Sequence, residues 1–370
     1  MASKQAILKA LAEGDIETIR AISNYFYKVN GLYQKVCHYF AFLYRYDWYV
    51  VPEVLKDNTD SEQILKDFNK LLNFLDNSHI KQLCGEIALE VIKSGAYYGY
   101  IVPSEHGLVL QQLPIRYCRS RYKVGTKPVI EFDMRYFDEC FKDVGYRMRV
   151  LNLFPDEFAK GYALYKKGKL EPDYQGDQGS WYLLDIDSTV KFNYYGQADI
   201  PVFANAIAAI IDLDQAQDLD RRKQMQKLLK ILVQKLPRDK NGDLIFDVDE
   251  AKDLHNNAVQ MLQRAIGVDV LTTFADVEAL DMADKNTATS TDDLKKVERS
   301  AFNAMGISQN IFNAEGNLSL AKSIQQDESA GRNLLLQFHI FFDNVVYHWN
   351  KQKKKYIFHL YMLETTQYNY

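Results

Sequence analysis

Four aspartates, Asp212, Asp214, Asp218 and Asp220, fall within nine residues. Carboxylates so close together are the raw material of a two-metal nuclease or nucleotidyl transferase. On a helix, Asp214 and Asp218 share a face. No partner His and no strand lie nearby, however, and Arg221, Arg222 and Lys223 follow directly. The competing reading is a solvated helix face whose charges pair with those of neighbouring helices, each exposed pair contributing about 0–1 kcal/mol.

A second carboxylate series runs from Asp239 through Asn241, Asp243 and Asp247 to Glu250 and has the outline of a calcium loop. The sixth position of such a loop needs Gly for its sharp turn. Here it is Leu244, and Gly242 comes two places early, which favours a hairpin-like turn followed by an Asp helix cap. The seven histidines (His38, His79, His106, His255, His339, His348 and His359) form no HExxH and no pair at three or four residues, so no zinc site is indicated. Neither GxxxxGK[ST] nor GxG occurs, and GxSxG is absent. A nucleotide loop, a cofactor and a serine nucleophile are therefore not expected.

The 370 residues carry 45 Lys and Arg against 49 Asp and Glu, a formal net charge of −4. That balance argues against an overall basic nucleic-acid coat while leaving room for local patches. The longest apolar run, Val202 to Ile211, is broken by Asn205 and is about half the roughly 20 residues of a membrane span. The N-terminal MASKQAILKALAEGD shows no secretory pattern. Cys37, Cys84, Cys118 and Cys140 lie far apart and read as reduced thiols. Aromatic residues make up 13% of the chain, with 25 Tyr and 20 Phe, which suits either an aromatic core or surfaces that meet further copies.

The elements that would position these residues begin with helices. Residues 5–29 are predicted helical, with Asp15 as a cap, and an aromatic-rich helix continues until Pro52 ends the stretch. Helices over 61–76 and 79–94 follow, the last stopped by Gly95. Short strands are expected at Tyr97–Val102, Gly107–Leu113, Cys118–Val124, Val129–Asp133, Val150–Leu153, Tyr162–Lys166, Trp181–Leu184 and Val190–Phe192, with a short helix at Phe137–Phe141. Residues 1–199 thus form an α+β block with a mostly antiparallel sheet. A helix opening at Ile200–Pro201 runs to about Leu228, its second half nearly all polar. Strands at Lys230–Leu236, Val268–Phe274 and Val277–Met282 surround a helix at Asp247–Ile266. A second charged helix, capped by Thr291, ends at Gly306. Then come a Gly- and Asn-bearing segment, a long helix over Leu320–Trp349, the basic run Lys351–Lys355 and a strand at Tyr356–Leu363. A helix polar on most faces needs lateral partners. A compact insert, 230–283, held between two such helices makes sense when copies pack around an axis.

In this order, and in particular stretches, the chain resembles the portal (head–tail connector) proteins of tailed bacteriophages. IPVFANAIAAIIDLDQAQDLDRRKQ is similar to the approach to the family's first stem helix, and KILVQKLP with VDVLTTFADVEALDM is similar to its clip. STDDLKKVERSAFNAMGI resembles the second stem helix, IFNAEGNLSLAKSIQQDE the tunnel-loop region, and NYFYKVNGLYQKVCHYFAFLYRYDWYVVP the helical start of a wing.

The resemblance implies a wing (1–199), stem helix 1 (200–229), a clip (230–284), stem helix 2 (285–307), a tunnel loop (308–322) and a return to the wing (323–370). It also implies a ring, usually a dodecamer, at one capsid vertex of the virion. Double-stranded DNA would pass through it during packaging and ejection, with weak, sequence-independent contact. The family's C-terminal crown has no counterpart before Tyr370. Asn313, Glu315, Asn317, Ser319 and Lys322 would line the channel. Leu213, Asp218, Leu219, Arg221, Arg222, Lys295 and Glu298 would make stem contacts between copies. Lys235, Asp239, Asp243, Asp276 and Glu278 would dock the terminase large subunit, which carries the ATPase, so the chain itself would not be an enzyme. Major capsid or scaffolding protein and a head-completion or tail adaptor are the other implied partners. The alternatives are the metal-dependent nuclease built on the Asp212–Asp220 cluster and a monomeric protein-binding adaptor.

Overall fold

A computed structural model describes residues 4–56, 60–102, 104, 106–125, 127–170, 172, 179–194, 199–228, 231–235, 245, 247–266, 269–273, 287–307, 317–350 and 355–367. It is an α+β fold divided into two units, one formed by Met1–Ala208 with Met305–Tyr370 and the other by Ala209–Ala304.

The first unit opens with α1 (Lys4–Glu13), α2 (Ile16–Val29) and α3 (Gly31–Ala41). Asp15 caps α2 as its spacing predicts, its carboxylate accepting from the Thr18 N–H and hydroxyl at 3.2 and 2.6 Å. Asn30 both ends α2 and caps α3, accepting from the Tyr33 N–H at 2.8 Å. The aromatic helix stops at Ala41, well before Pro52, and β1 (Trp48–Val54) follows. Pro52 lies inside that strand. It stands opposite Phe358 on a rung whose backbone groups face away from the partner strand, where a missing N–H costs no ladder bond.

Next come α4 (Ser61–Asn77) and α5 (Ile80–Ser94). Gly95 closes α5 at φ +90°, and a Cβ there would stand 2.4 Å from the Asp199 carbonyl oxygen, so both conformation and space demand glycine.

Strands β2 (Ala96–Val102) and β3 (Val109–Leu113), the short β4 (Cys118–Arg119), β5 (Lys123–Val124) and β6 (Lys127–Pro128), and β7 (Glu131–Asp133) follow. Then come α6 (Arg135–Cys140), α7 (Val144–Leu151), α8 (Asp156–Lys166), β8 (Trp181–Leu183) and β9 (Thr189–Asn193). Sheets β3-β2-β9 and β4-β7-β8 are both antiparallel.

Two expected strands, Val150–Leu153 and Tyr162–Lys166, are instead the end of α7 and the second half of α8. The helical period is set by side chains that must face one way. Phe158, Gly161 and Tyr162 are buried on α8. Tyr162 and Lys166, one turn apart, both bond the Asp138 carboxylate of α6, at 2.8 and 2.7 Å, and Arg147 of α7 reaches it at 2.7 Å. A strand would send Tyr162 and Lys166 some 13 Å apart, beyond one carboxylate. Their core holds Phe132, Phe137 and Phe158, all with no exposure, in edge-to-face and tilted contacts.

Helix α9 (Ile207–Leu228) begins later than Ile200–Pro201. The Val202 N–H bonds the Ile92 carbonyl at 3.1 Å and Arg20 holds the Asp199 carbonyl at 3.0 Å, so the chain is pinned across α5 and α2 before a 3-10 turn at Ala204–Ala206 leads into the helix.

The second unit holds most of α9, β10 (Ile231–Lys235), α10 (Val248–Ile266), β11 (Asp269–Thr273) and most of α11 (Thr287–Met305). Strands β10 and β11 pair in parallel, as a crossover through α10 requires. Asp247 caps α10, its carboxylate accepting from the Val248 N–H at 2.7 Å, while Glu250 accepts from the Asp247 N–H at 3.3 Å. Thr291 is not a cap: α11 starts one turn earlier, at Thr287, and ends at Gly306 with φ +69°. The expected strand Val277–Met282 lies outside the described residues, as does most of the 171–180 loop.

Back in the first unit, α12 (Asn317–Asn350) and β12 (Tyr356–Met362) complete the chain, with β12 antiparallel to β1.

Candidate functional site

Helix α12 combines an apolar body with polar residues four apart: Asn333 and Gln337, then His339 and Asp343. At about 100° per residue, the second pair lies roughly 240° round the helix from the first. Each pair meets a different sheet edge. The Gln337 side chain accepts from the Asn193 N–H at 3.2 Å and donates to the Asn193 carbonyl at 2.8 Å, and Asn333 donates to the Tyr194 carbonyl at 3.1 Å. On the other flank, Asp343 accepts from the Leu360 N–H at 3.0 Å and His339 Nδ1 from the Met362 N–H at 3.4 Å. One helix thus closes the free edges of β9 and β12.

The register of β9 follows from one bond. The Ile101 N–H bonds the Ser188 carbonyl at 2.7 Å, which turns odd-numbered residues of β2 toward β9. Thr189, Lys191 and Asn193 then direct their backbone groups away from β2. Beside this edge, Asp199 gathers a polar hub. Tyr98 donates to its carboxylate at 2.9 Å, Lys191 pairs with it at 2.9 Å, and Asn193 Nδ2 reaches it at 3.4 Å. Burial, reinforced by the Asp199 carboxylate, pushes the Tyr98 phenol well up, so it stays a donor. Burial lowers the pKa of Arg20, opposed by Asp199, while its guanidinium ties Asp199 to the Ser94 carbonyl.

An open groove of about 710 Å³ lies between this sheet and the C-terminal half of α12. Ile101, Val190 and Phe192 line it from the sheet, Val345 and Trp349 from the helix, and Lys123 and Lys127 also belong to the lining. None of these residues was a sequence candidate. The four-residue spacing of amides and carboxylate on an apolar helix was the available signal.

The structure separates the predicted stem residues. Leu213 is only 3% exposed and packs within its own chain, whereas Leu219 is 55% exposed. Only Leu219 of the two can present its side chain to another copy. Asp218, Arg221, Arg222 and Lys295 are also exposed, and Glu298 is half-buried. Asp214 and Asp218 share the exposed side of α9, with Asp212 and Asp220 half-buried. Among the described residues no group of three or more His, Cys, Asp or Glu is arranged to hold a metal ion, and no helix is long and apolar enough to cross a membrane. The four cysteines are free thiols, with only Cys140 exposed.

Of the proposed channel residues, Asn317, Ser319 and Lys322 fall in the first turns of α12, a helical rather than loop setting, while Asn313 and Glu315 lie outside the described residues. Among the docking candidates, Lys235 is the last residue of β10, and Asp239, Asp243, Asp276 and Glu278 lie outside. No protein-family model matches the chain, and no curated protein matches it either.

Proposed function

We propose that this chain is a subunit of a phage portal, a ring at one capsid vertex through which DNA is packaged and ejected and on which the terminase motor and a tail adaptor dock. The observation that carries this reading is the way the chain enters and leaves its second unit. It does so through two helices, α9 and α11, whose described residues beyond their buried ends are largely hydrophilic and exposed, from Asp214 to Arg222 and from Asp293 to Ser300. Such helices gain little from a core of their own and are stabilised by lateral neighbours. Between them stands a small parallel β-α-β unit, which is compatible with the clip that the resemblance implies. In this reading Leu219, Asp218, Arg221 and Arg222 meet α11 of the next copy, including Lys295 and Glu298. Charge pairing there sets register more than affinity.

Negative-stain imaging and mass photometry of the purified chain test the proposal. Closed rings with an axial hole are the expected result. A single copy that stays monomeric at high concentration overturns it. Mg²⁺-dependent DNA cleavage by such a monomer, lost on Asp214→Asn, would favour the nuclease alternative.

A further inference from the structure

The chain is acidic overall, yet the segment Arg116–Lys127 holds five cations (Arg116, Arg119, Arg121, Lys123 and Lys127) and no carboxylate. It folds into β4 and the β5–β6 hairpin, whose two-residue turn places Gly125 at φ +61°. Among the described residues, three carboxylates from elsewhere meet four of the five cations. Glu131, 15% exposed, is shared by Arg119 Nε at 2.6 Å and Arg121 Nη2 at 3.1 Å. Asp187 pairs with Lys127, and Glu17 meets Arg116 at 3.5 Å. One carboxylate between two guanidiniums orients both and neutralises one. Lys123 is exposed and has no carboxylate partner among the described residues. Tyr122 stands beside it, 51% exposed.

We propose that the β5–β6 hairpin is a sequence-independent nucleic-acid contact, with Arg121 and Lys123 on phosphates and the Tyr122 hydroxyl as a neutral donor. Guanidinium forks, ammoniums and phenol hydroxyls are groups that address a phosphate backbone, and phosphate contacts carry no sequence information directly. The concentration of positive charge in one hairpin of a net acidic chain makes the contact local, and repulsion elsewhere keeps it weak. The inference goes beyond the ring reading and does not rest on it, because the hairpin is complete in one copy.

Fluorescence anisotropy of the full chain with a labelled duplex of about 30 base pairs, titrated between about 50 and 200 mM salt, tests it. Two phosphate contacts predict a log–log slope of about −1.8, a loss of affinity of about twelve-fold over that range. Lys123→Ala should make the slope shallower by about one, equally for unrelated sequences. Lys123→Glu, at an exposed position with no carboxylate partner among the described residues, should abolish binding at the upper salt while leaving the melting temperature unchanged. Absence of binding at the lower salt overturns the proposal, as does a slope that neither substitution alters. Binding of a poly-glutamate peptide as tight as that of the duplex also overturns it, since the surface would then be a site for acidic protein.

Discussion

The side-chain amide of Gln337 meets both backbone polar groups of Asn193, accepting from its N–H at 3.2 Å and donating to its carbonyl at 2.8 Å. A glutamine on a helix thereby reproduces the two-bond pattern that an adjoining antiparallel strand would make. An uncovered edge is a template for unwanted pairing. The same helix also meets the edge of β12, where Asp343 and His339 accept from the Leu360 and Met362 N–H groups.

Gln337→Leu should remove both bonds while keeping bulk, leaving the Asn193 N–H and carbonyl partly buried and unpaired. A loss of about 1–3 kcal/mol is expected in urea unfolding. Gln337→Glu is more informative. Its carboxylate still accepts from the N–H but faces the Asn193 carbonyl, which favours the protonated form. The variant should be less stable than the parent at pH 8, and the gap should narrow as pH falls and the acid regains a donor. A gap independent of pH would contradict this geometry.

Asp67, 1% exposed on α4, accepts from Gln63 at 3.0 Å and from the Tyr356 hydroxyl of β12. Burial, then the bond to Asp67, pushes the Tyr356 phenol up to about 12. Its folded value exceeds the unfolded one, so its contribution is complete below about pH 10 and lost as pH rises through about 12. Tyr356→Phe should cost about 1–3 kcal/mol at neutral pH by taking one donor away from a buried carboxylate. It should also flatten the alkaline limb of a stability–pH profile.

The acid limb has a counterpart in Asp47. Lys81 and Thr365 donate to its carboxylate, and the Lys81 bond is the main cause that lowers its pKa, against the opposing effect of burial. A depressed folded value means stability present above about pH 4 and lost as pH falls further. Asp47→Asn should therefore destabilise the chain at pH 7 and lessen the drop between pH 4 and pH 2, as followed by circular dichroism.

Leu213 and Leu219 separate folding from assembly. Leu213→Asp places a charge at a position 3% exposed and should cost more than about 3 kcal/mol. Leu219→Asp, at 55% exposure, should change monomer stability by less than about 0.5 kcal/mol. It should, however, shift mass photometry from rings to single copies. Rings that form normally would remove Leu219 from the proposed contact.

Local signals were legible wherever a few neighbouring residues suffice. Asp15, Gly95 and Gly306 mark helix ends at which the structure places caps. The strands at Ala96–Val102 and Thr189–Asn193 agree with their apolar patterning. Short windows failed at Val150–Leu153 and Tyr162–Lys166, because four or five apolar and aromatic residues do not distinguish a period of two from one of 3.6. Pro155 followed by Asp156 and Glu157 was the overlooked helix start. Strand β1 was missed for a different reason. Its pairing partner lies some three hundred residues away, with Val51 opposite His359, and Pro52 obscured it.

The chain's composition and periodicities by themselves determined an α+β body and two hydrophilic helices flanking a small insert. These are properties of nearest neighbours along the chain, where propensity, capping and charge act over a turn or two. Only the tertiary structure decided that Gln337 would face Asn193, that Leu213 would be buried while Leu219 is not, and that Glu131 would bridge Arg119 and Arg121. Each of these depends on where packing sets one element against another, and burial and hydrogen-bond partnership are fixed by that placement rather than by spacing in the sequence.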